Sequence, residues 1–425
     1  MLRFFSAAEI GPNALRREDL ERFKTALLED ALMKGAPATW RIMVNTWNQA
    51  AHTVPGWPAI HVPLPPRPGC YSLPWESFPA SLRLDVDRYL TRLGGGSILD
   101  EKGPMRPARK STLHTREYQI RRFASALVLS KKDPAELVSL ADLVTLEAFR
   151  LGLGFFLARS NDQPTAAVFS IAGALTAVAQ HFVEAEDSVV ARMKEIKKRL
   201  RPSCKGLTEK NRTRLRQFDD PATVQKFLRL PEQLERAASV CHKPRRAALL
   251  TQSAVAIAIL TMAPMRIANL AALDLDKHLV RPAPGRPYHI VIPATEVKNR
   301  QDLEFPLPQQ TSDLIDRYLK NHRTALVTTT TRALFPGRFG GHKTSINLGS
   351  QISANVYGQT GIRANPHLFR HIGAKLYLDN KPGNYATMQR VLGHSSIDTT
   401  TQHYTGLETA GAMRHYDNLI LHLKT

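Results

Sequence analysis

One stretch near the end of the chain, HLFRHIGAKLYLDNKPGNYATMQRVLGHSSIDTTTQHY, concentrates side chains that could do chemistry. His367 and Arg370 are three residues apart, so on a helix they lie on neighbouring points of one face. His394 follows an Leu-Gly pair, and the Ser, Asp and Thr residues after it could cap a short helix that ends at Tyr404. A plain helical domain has no need of such a set.

These residue types suit the transfer of a phosphodiester onto a side chain. That reaction needs an oxygen nucleophile, cations on the non-bridging oxygens and a proton donor for the leaving sugar oxygen. Arginine stays charged and contacts phosphate through two N–H groups, so two arginines could hold the transition state without a metal. Tyrosine is only slightly ionised at neutral pH and needs a proton acceptor, but its phosphoester can be reversed.

The motifs in this stretch resemble those of the tyrosine recombinase, or phage integrase, family. His367 and Arg370 match its HxxR motif, His394 matches the histidine of LGHSS, and Tyr404 matches the nucleophile after the Thr run. Upstream, PMRIANLAAL is similar to the sequence around the first arginine of the family and points to Arg266. The likeness covers residues 207–425 well, whereas residues 111–200 resemble the family only in layout.

The resemblance also implies a lysine on a β-hairpin, which is taken in the family as the proton donor to the leaving 5′ oxygen. Lys298, at the end of IPATEVKN, fits that place. The implied catalytic set with its roles is Tyr404 as nucleophile, Arg266 and Arg370 for the transition-state charge, His367 and His394 for orienting the phosphate and assisting proton transfer, and Lys298 as acid. No cofactor or metal is implied, because phosphotyrosine conserves the bond energy.

Two features depart from the family pattern. Asn269 stands where an acidic residue is common, three places after Arg266, and an amide can orient the arginine without supplying negative charge. Tyr404 lies ten residues after His394, where nine is also frequent, and His403 is its neighbour. Both departures concern fine tuning and register.

Each residue also has an ordinary structural interpretation. Arg266 could be a surface arginine, Lys298 a turn lysine, and His367 with Arg370 a helix-start pair. Their joint occurrence in family order favours the catalytic interpretation. Of the remaining groups, we expect His371 to be structural, and the rival tyrosine Tyr416 to belong to an apolar stripe of the last helix.

Composition favours a polyanionic partner. The chain has 425 residues, 58 Lys plus Arg against 37 Asp plus Glu, and a formal charge of +21. The apolar stretches, such as Ala254 to Met262, fall short of a membrane span, and the N-terminus lacks a secretory signal. We therefore expect a cytoplasmic protein that is nucleoid-associated when bound to DNA. Three scattered cysteines indicate reduced thiols and no metal pattern.

The pattern predicts a mainly α protein with a small β-hairpin: helical N-terminal DNA-binding modules and a mixed α+β catalytic domain. The expected domains are an N-terminal helical module at 1–93 (an arm or a second core-binding-like domain), a linker at 94–110, a helical core-binding domain at 111–200, a basic linker at 201–216 and the catalytic domain at 217–425. Extended runs at 288–297 and 302–308 supply the hairpin.

A basic segment joins the last two helical modules, with eleven Lys or Arg and two Glu between Arg192 and Arg216. It could follow a phosphate backbone or be a solvated helix face. The residues proposed to contact DNA are Arg192, Lys194, Lys197, Lys198, Arg199, Arg201, Lys205, Lys210 and Arg212.

The resemblance implies a site-specific recombinase or integrase acting on double-stranded DNA. Four strands must be cut, so it also implies a homo-tetramer on DNA, alone or with related recombinases. The final helix, with Met413 to Leu423 in an apolar stripe, could dock on its own chain or on a neighbour. Two alternatives stay open: a type IB topoisomerase, which would relax DNA without a defined site, and a catalytically silent DNA-binding accessory protein.

Overall fold

The computed structural model describes residues 2–11, 14–29, 36–58, 60–64, 71–95, 103–202, 206–405 and 409–424. The chain divides into two compact units, Met1–Pro202 and Ser203–Thr425. The second unit begins close to the expected end of the core-binding domain at residue 200.

The first unit begins with three helices, α1 (Leu2–Ala7), α2 (Arg17–Glu29) and α3 (Ala36–Thr53). Apolar residues recur every three or four positions along α2 and α3, so each helix has one face to bury. Phe23 of α2 packs against Trp40 of α3 in this small core. The buried amide of Asn48 exchanges hydrogen bonds with the backbone of Val62 and fixes the following segment to α3.

Six further helices share a second core in this unit: α4 (Ala80–Leu93), α5 (Lys110–Leu129), α6 (Leu140–Leu143), α7 (Leu146–Ala158), α8 (Ala166–Val178) and α9 (Asp187–Arg199). The expected module boundary at residue 93 cuts through this core, because Leu82 and Val86 of α4 are fully buried in it. The Asp85 carboxylate also accepts a hydrogen bond from the Leu140 backbone at the start of α6. Helix α4 therefore packs with the helices of 111–200.

One stretch of the described residues, Ala166–Val183, is long and apolar enough by length and composition to cross a membrane. The expectation that every apolar stretch falls short of a membrane span is wrong for this one. Its residues Ile171 and Leu175 are buried in the second core, where an apolar helix face finds partners. Core helices meet the same two criteria, so the stretch is weak evidence for a membrane span.

The described part of the second unit contains eleven α-helices: α10 (Glu209–Arg216), α11 (Pro221–Leu228), α12 (Leu230–Ser239), α13 (Pro244–Met262), α14 (Ile267–Ala271), α15 (Gln309–Asn321), α16 (Ser345–Thr360), α17 (Pro366–Asn380), α18 (Tyr385–Leu392), α19 (Ile397–Tyr404) and α20 (Thr409–Leu423). Residues 251–260 of α13 are all buried, and the helix lies at the centre of the core, as its continuous apolar sequence predicts. Leu207 and Leu215 join this core, so the expected basic linker at 201–216 contributes to the core of the second unit.

A three-stranded antiparallel sheet has the order β1 (Leu279–Val280), β2 (His289–Ile292) and β3 (Leu303–Pro306). Strands β2 and β3 form the hairpin that the sequence predicts, with Ile290 opposite Phe305. Strand β1 is too short to show a period of two and was not predicted. The hairpin turn, which contains residues 293–302, points the segment around Asn299 toward the C-terminal helices.

The C-terminal helices surround a second small core made of Ala374, Leu378, Met388, Leu392 and Tyr404. Gly393 ends α18 with a positive φ of 58°, a conformation that glycine adopts without strain. This turn separates α18 from α19 and places His394 and Tyr404 near α17. Helix α20 packs against α17, but its apolar residues Met413 and Tyr416 remain more than half exposed.

Candidate active site

An open cleft of about 320 Å³ in the second unit collects five of the six residues expected from the sequence. They come from four separate segments: the N-terminus of α14, helix α17, the turn after α18, and helix α19. The lining residues are Gly206, Leu207, Thr208, Asn211, Arg266, His367, Arg370, His371, His394, His403 and Tyr404.

Arg370 is the most firmly held of these side chains. It lies on α17, whose start is capped by the Asn365 side chain, and only 4% of it is exposed. Its guanidinium donates to the carbonyls of Pro264, at 2.5 Å, and Leu392, at 2.7 Å. Burial lowers the pKa of Arg370 to about 10, so the group is still charged at neutral pH. A fixed cation therefore lies on the wall of the cleft.

Arg266 immediately precedes α14 and is half-buried. Burial lowers its pKa from the usual value. Its NH1 lies 3.4 Å from Oδ1 of Asn299, and the same amide donates to the carbonyl of Gly393. Asn299 thus ties the first arginine to the hairpin turn and to the turn that carries His394.

Asn269 does not take the role expected of the acidic residue it replaces. It is buried, and its Nδ2 has no hydrogen-bond partner among the described residues. The amide that contacts Arg266 belongs to Asn299. The sequence did not single out Asn299, because its neighbour Lys298 is the residue that fits the family motif. The one feature of the sequence that could have indicated this role is the position of Asn299 next to Lys298, on a hairpin expected to reach the site.

Tyr404 is nearly fully buried, with 1% of its surface exposed. Burial raises the pKa of its hydroxyl to about 12, and the positive charge of Arg370 offsets part of that rise. The hydroxyl lies 3.1 Å from Nδ1 of His371, which is itself buried on α17. Tyr404 is thus un-ionised at neutral pH, and a tyrosine in this state needs a proton acceptor before it can act as a nucleophile.

His394 has a defined tautomer because its two partners differ in kind. Its Nε2 lies 3.1 Å from the Arg370 guanidinium, which can only donate, so this nitrogen accepts. Its Nδ1 therefore carries the proton and donates to the hydroxyl of buried Thr400 at 2.8 Å. Burial and the charge of Arg370 lower the pKa of His394 to about 4. The ring is neutral and held by both neighbours.

His367 lies on the exposed rim of the cleft, one helical turn before His371, and the two rings meet edge to face at 5.0 Å. Partial desolvation and the charge of Arg370 lower its pKa. An exposed imidazole at the mouth is free to meet an incoming phosphate.

Lys298 is the one member of the expected set that lies outside the cleft. It is exposed in the turn between β2 and β3 and does not line the cavity. The turn nevertheless approaches the site through its neighbour, because Asn299 contacts Arg266. Lys298 thus lies one residue from a side chain that touches the catalytic set.

The basic segment divides between the two units. In the first unit Arg192, Lys194, Lys198, Arg199 and Arg201 are exposed, and the Lys197 ammonium lies 5.6 Å from the ring centre of Phe169. In the second unit Lys210 and Arg212 are exposed on α10, next to the cleft-lining Asn211. Lys205 lies outside the described residues.

The helical domain, its small hairpin and the cleft define the class of this protein, a tyrosine-type site-specific recombinase. Residues 228–410 match the model of the phage integrase family. No curated protein matches the chain in sequence.

Several solved structures are similar to this chain. The XerH site-specific recombinase bound to difH substrate in a pre-cleavage complex is 18% identical, with 71% of this chain and 79% of that chain covered and a TM-score of 0.45. The Tn1549 transposon integrase in complex with circular intermediate DNA is 17% identical over 73% and 94%, with a TM-score of 0.44. A lambda integrase dimer bound to a COC′ core site is 13% identical over 87% and 86%, with a TM-score of 0.45.

Proposed function

We propose that this recombinase cuts and rejoins DNA strands through a covalent 3′-phosphotyrosyl bond to Tyr404. The convergence of Tyr404, Arg266, Arg370, His367 and His394 on one cleft carries the proposal. A phosphate that enters the cleft would meet positive charge from two directions, with the tyrosine hydroxyl behind it. In-line attack by Tyr404 would form the P–O bond to tyrosine and release the 5′ oxygen of the sugar.

Arg370 and Arg266 stabilise the five-coordinate phosphate in this scheme. Arg370 is held by two backbone carbonyls, so its position costs no reorganisation when charge develops on the phosphate oxygens. Arg266 is half-buried and contacts Asn299. Burial removes part of the hydration of its guanidinium, and hydrogen bonds to the phosphate would replace that hydration. Fixed cations favour the transition state over the ground state, which is the requirement for catalysis.

His367 and His394 orient the phosphate. His367, at the rim, can turn whichever ring nitrogen carries the proton toward a phosphate oxygen and donate to it. The Nδ1 of His394 is hydrogen-bonded to Thr400, and its Nε2 accepts from Arg370. To donate to a phosphate from Nε2, the ring must change its tautomer or become protonated. Lys298 donates the proton to the departing 5′ oxygen, which requires the hairpin turn to carry its exposed side chain into the cleft.

The partner is double-stranded DNA, engaged by the basic residues at the end of α9 and on α10. Cutting and exchanging all four strands of two duplexes requires four copies of the chain. The exposed apolar residues of α20, Met413, Tyr416 and Leu419, fit a protomer contact in such a homo-tetramer. The chemistry leaves the phosphate bond energy in phosphotyrosine, so it uses no cofactor.

The test begins with a randomised duplex pool selected for binding to the full-length protein carrying Tyr404→Phe. The selected duplex, nicked near its centre so that the released strand diffuses away, is then incubated with the unaltered protein. A denaturing gel should show a protein–DNA adduct, lost in Tyr404→Phe and retained in the matched control Tyr416→Phe. An adduct that survives Tyr404→Phe would overturn the assignment of the nucleophile.

Two other results distinguish the rival functions. Relaxation of a supercoiled plasmid that carries no selected sequence, at a rate equal to that of a plasmid carrying it, would identify a type IB topoisomerase. Tight binding of the selected duplex without any adduct would identify a catalytically silent DNA-binding protein.

A further inference from the structure

Among the residues that the structure describes, His371 is the one hydrogen-bond partner of the Tyr404 hydroxyl. Its Nδ1 lies 3.1 Å from the hydroxyl oxygen. Only 6% of His371 is exposed, and it immediately follows Arg370 on α17. The helix that fixes the transition-state arginine therefore also fixes this imidazole.

The other histidines of the cleft are placed differently. His394 stacks parallel to Tyr404 with 6.4 Å between ring centres, and both of its nitrogens already have partners. His403 is the chain neighbour of Tyr404, and its Nδ1 is buried without a hydrogen-bond partner among the described residues. His367 is exposed at the rim and contacts the ring of His371. In the described part of the chain, none of the three forms a hydrogen bond with the Tyr404 hydroxyl.

We infer that His371 is a catalytic residue that accepts the proton of the Tyr404 hydroxyl as the tyrosine attacks. The inference rests on the proposed function. The proton moves from the tyrosine oxygen to Nδ1 while the P–O bond to tyrosine forms and the bond to the 5′ oxygen breaks. Lys298 supplies the proton that the 5′ oxygen takes up. In rejoining, the 5′ hydroxyl attacks the phosphate and gives its proton back to Lys298, while His371 returns its proton to the departing tyrosine oxygen, so the cycle balances.

The protonation state of His371 suits this role. Burial, followed by the neighbouring His367 and His403 and the charge of Arg370, lowers its pKa to about 3. The ring is therefore neutral at physiological pH, and an acceptor is required to be neutral. Because Tyr404 carries its own proton, Nδ1 accepts and the ring proton lies on Nε2.

The substrate itself strengthens the base. The charged or titratable groups around His371 are His367 and Arg370 on α17, His394 after α18, His403 and Tyr404 on α19, and Arg266 before α14. Two of these are cations that disfavour a protonated imidazole. A phosphate anion bound between them cancels part of that effect, so His371 becomes more basic when the scissile phosphate is in place.

The variant His371→Asn tests the inference, because its amide oxygen can take the position of Nδ1 but does not take up a proton at neutral pH. The substrate is the selected nicked duplex, and the rate of adduct formation is measured against pH. We expect the rate to fall about 100-fold, within the range of general base catalysis. The matched control is His278→Asn, since His278 is also buried and its Nδ1 accepts a backbone N–H at 2.9 Å.

A second measurement separates proton transfer from packing. Tyr404 is replaced by a ring-fluorinated tyrosine, whose phenol loses its proton more readily. If His371 is the acceptor, the deficit of His371→Asn should shrink about 10-fold or more and the optimum of the pH profile should move. A purely structural role predicts the same deficit with either tyrosine.

The outcomes separate this inference from the proposed function. No adduct with the unaltered protein on the selected duplex would overturn both. An adduct that needs Tyr404 but forms equally fast in His371→Asn would overturn only the role of His371. A deficit in His371→Asn that the fluorinated tyrosine leaves unchanged would also reject proton transfer and leave the nucleophile in place.

Discussion

The amide of Asn299 joins Arg266 to the turn that holds His394: its oxygen lies 3.4 Å from the guanidinium, and its nitrogen donates to the carbonyl of Gly393. One side chain of the hairpin thus positions two parts of the site. We predict that Asn299→Ala lowers the rate of adduct formation by about 10-fold, because a loosely held arginine gains less from the transition state. Single-turnover cleavage of the selected duplex measures this rate.

Asn299→Asp is the companion to that experiment. A carboxylate keeps contact with Arg266 but gives up the hydrogen bond to Gly393, so we expect a smaller loss than in the alanine variant. Equal rates for the alanine variant and the unaltered protein would reject a positioning role. Affinity for the duplex should change little in Asn299→Ala, since Asn299 carries no charge, and should fall in Asn299→Asp, whose carboxylate adds a negative charge beside the arginine that meets the phosphate.

We predict that Lys298 increases the rate of cleavage only when the leaving group needs a proton. We expect Lys298→Ala to reduce cleavage about 100-fold, the scale of general acid catalysis. A duplex with sulfur in place of the bridging 5′ oxygen leaves readily as a thiolate, so it should restore most of the rate. A deficit of the same size on both duplexes would show that Lys298 does not act as the acid. Exposed Lys320 on α15 provides a control substitution.

The buried histidines make the catalytic domain sensitive to acid. The pKa values of His371 and His394 are lowered to about 3 and about 4, so below pH 6.5 the unfolded chain binds protons that the folded chain does not. The free energy of unfolding should therefore fall as pH drops from about 6.5 toward 4, by up to about 1.4 kcal/mol per pH unit for each histidine. The contribution is fully present above pH 6.5.

Chemical denaturation of the full chain, followed by a probe in the second unit, measures this dependence. The double variant His371→Asn with His394→Asn should flatten the slope between pH 6.5 and 4. A slope that the double variant leaves unchanged would assign the acid sensitivity to other groups.

Lys375 on α17 is predicted to stabilise the catalytic domain. Its ammonium lies 2.7 Å from Asp219 and 2.8 Å from Asp379, and 5% of its side chain is exposed. Burial by itself would lower the pKa of Lys375, but the hydrogen bonds with Asp219 and Asp379 outweigh it and raise the pKa. Lys375→Met should cost about 2 kcal/mol, below the usual range for a broken buried pair because Asp219 is half exposed.

The exposed pair Arg332–Asp276 is the matched control for that substitution. Both side chains are more than half exposed, so Arg332→Met should change the free energy of unfolding by less than about 1 kcal/mol. Equal costs for the two variants would contradict the argument from burial.

The sequence predicted the elements that carry their own periodicity. The β2–β3 hairpin was expected from two extended runs, at 288–297 and 302–308, and the structure pairs them. The fold class and the recombinase family are confirmed. The hairpin depends on two neighbouring extended runs, and the family resemblance depends on short motifs in a fixed order along the chain.

What the sequence missed depends on long-range packing. The apolar stripe of α4 shows that the helix must be buried but not against which core, and the module boundary at 93 was misplaced for that reason. The bond between His371 and Tyr404 joins residues 33 apart and depends on how α19 packs against α17. His371 was therefore taken as structural. For the same reason the sequence did not show that Asn299, and not Asn269, contacts Arg266.

Gly206 has a practical consequence for dissecting this protein. A side chain there would come within 2.5 Å of the Gln402 carbonyl, and φ of +85° is a second reason why only glycine fits. The segment that begins at Gly206 lines the cleft through Leu207, Thr208 and Asn211. Gln402, which Gly206 approaches, lies on α19 two residues before Tyr404. A shortened protein starting at residue 217 would lack the residues between 206 and 211 that line the cleft, so the shortest useful fragment must begin upstream of Gly206.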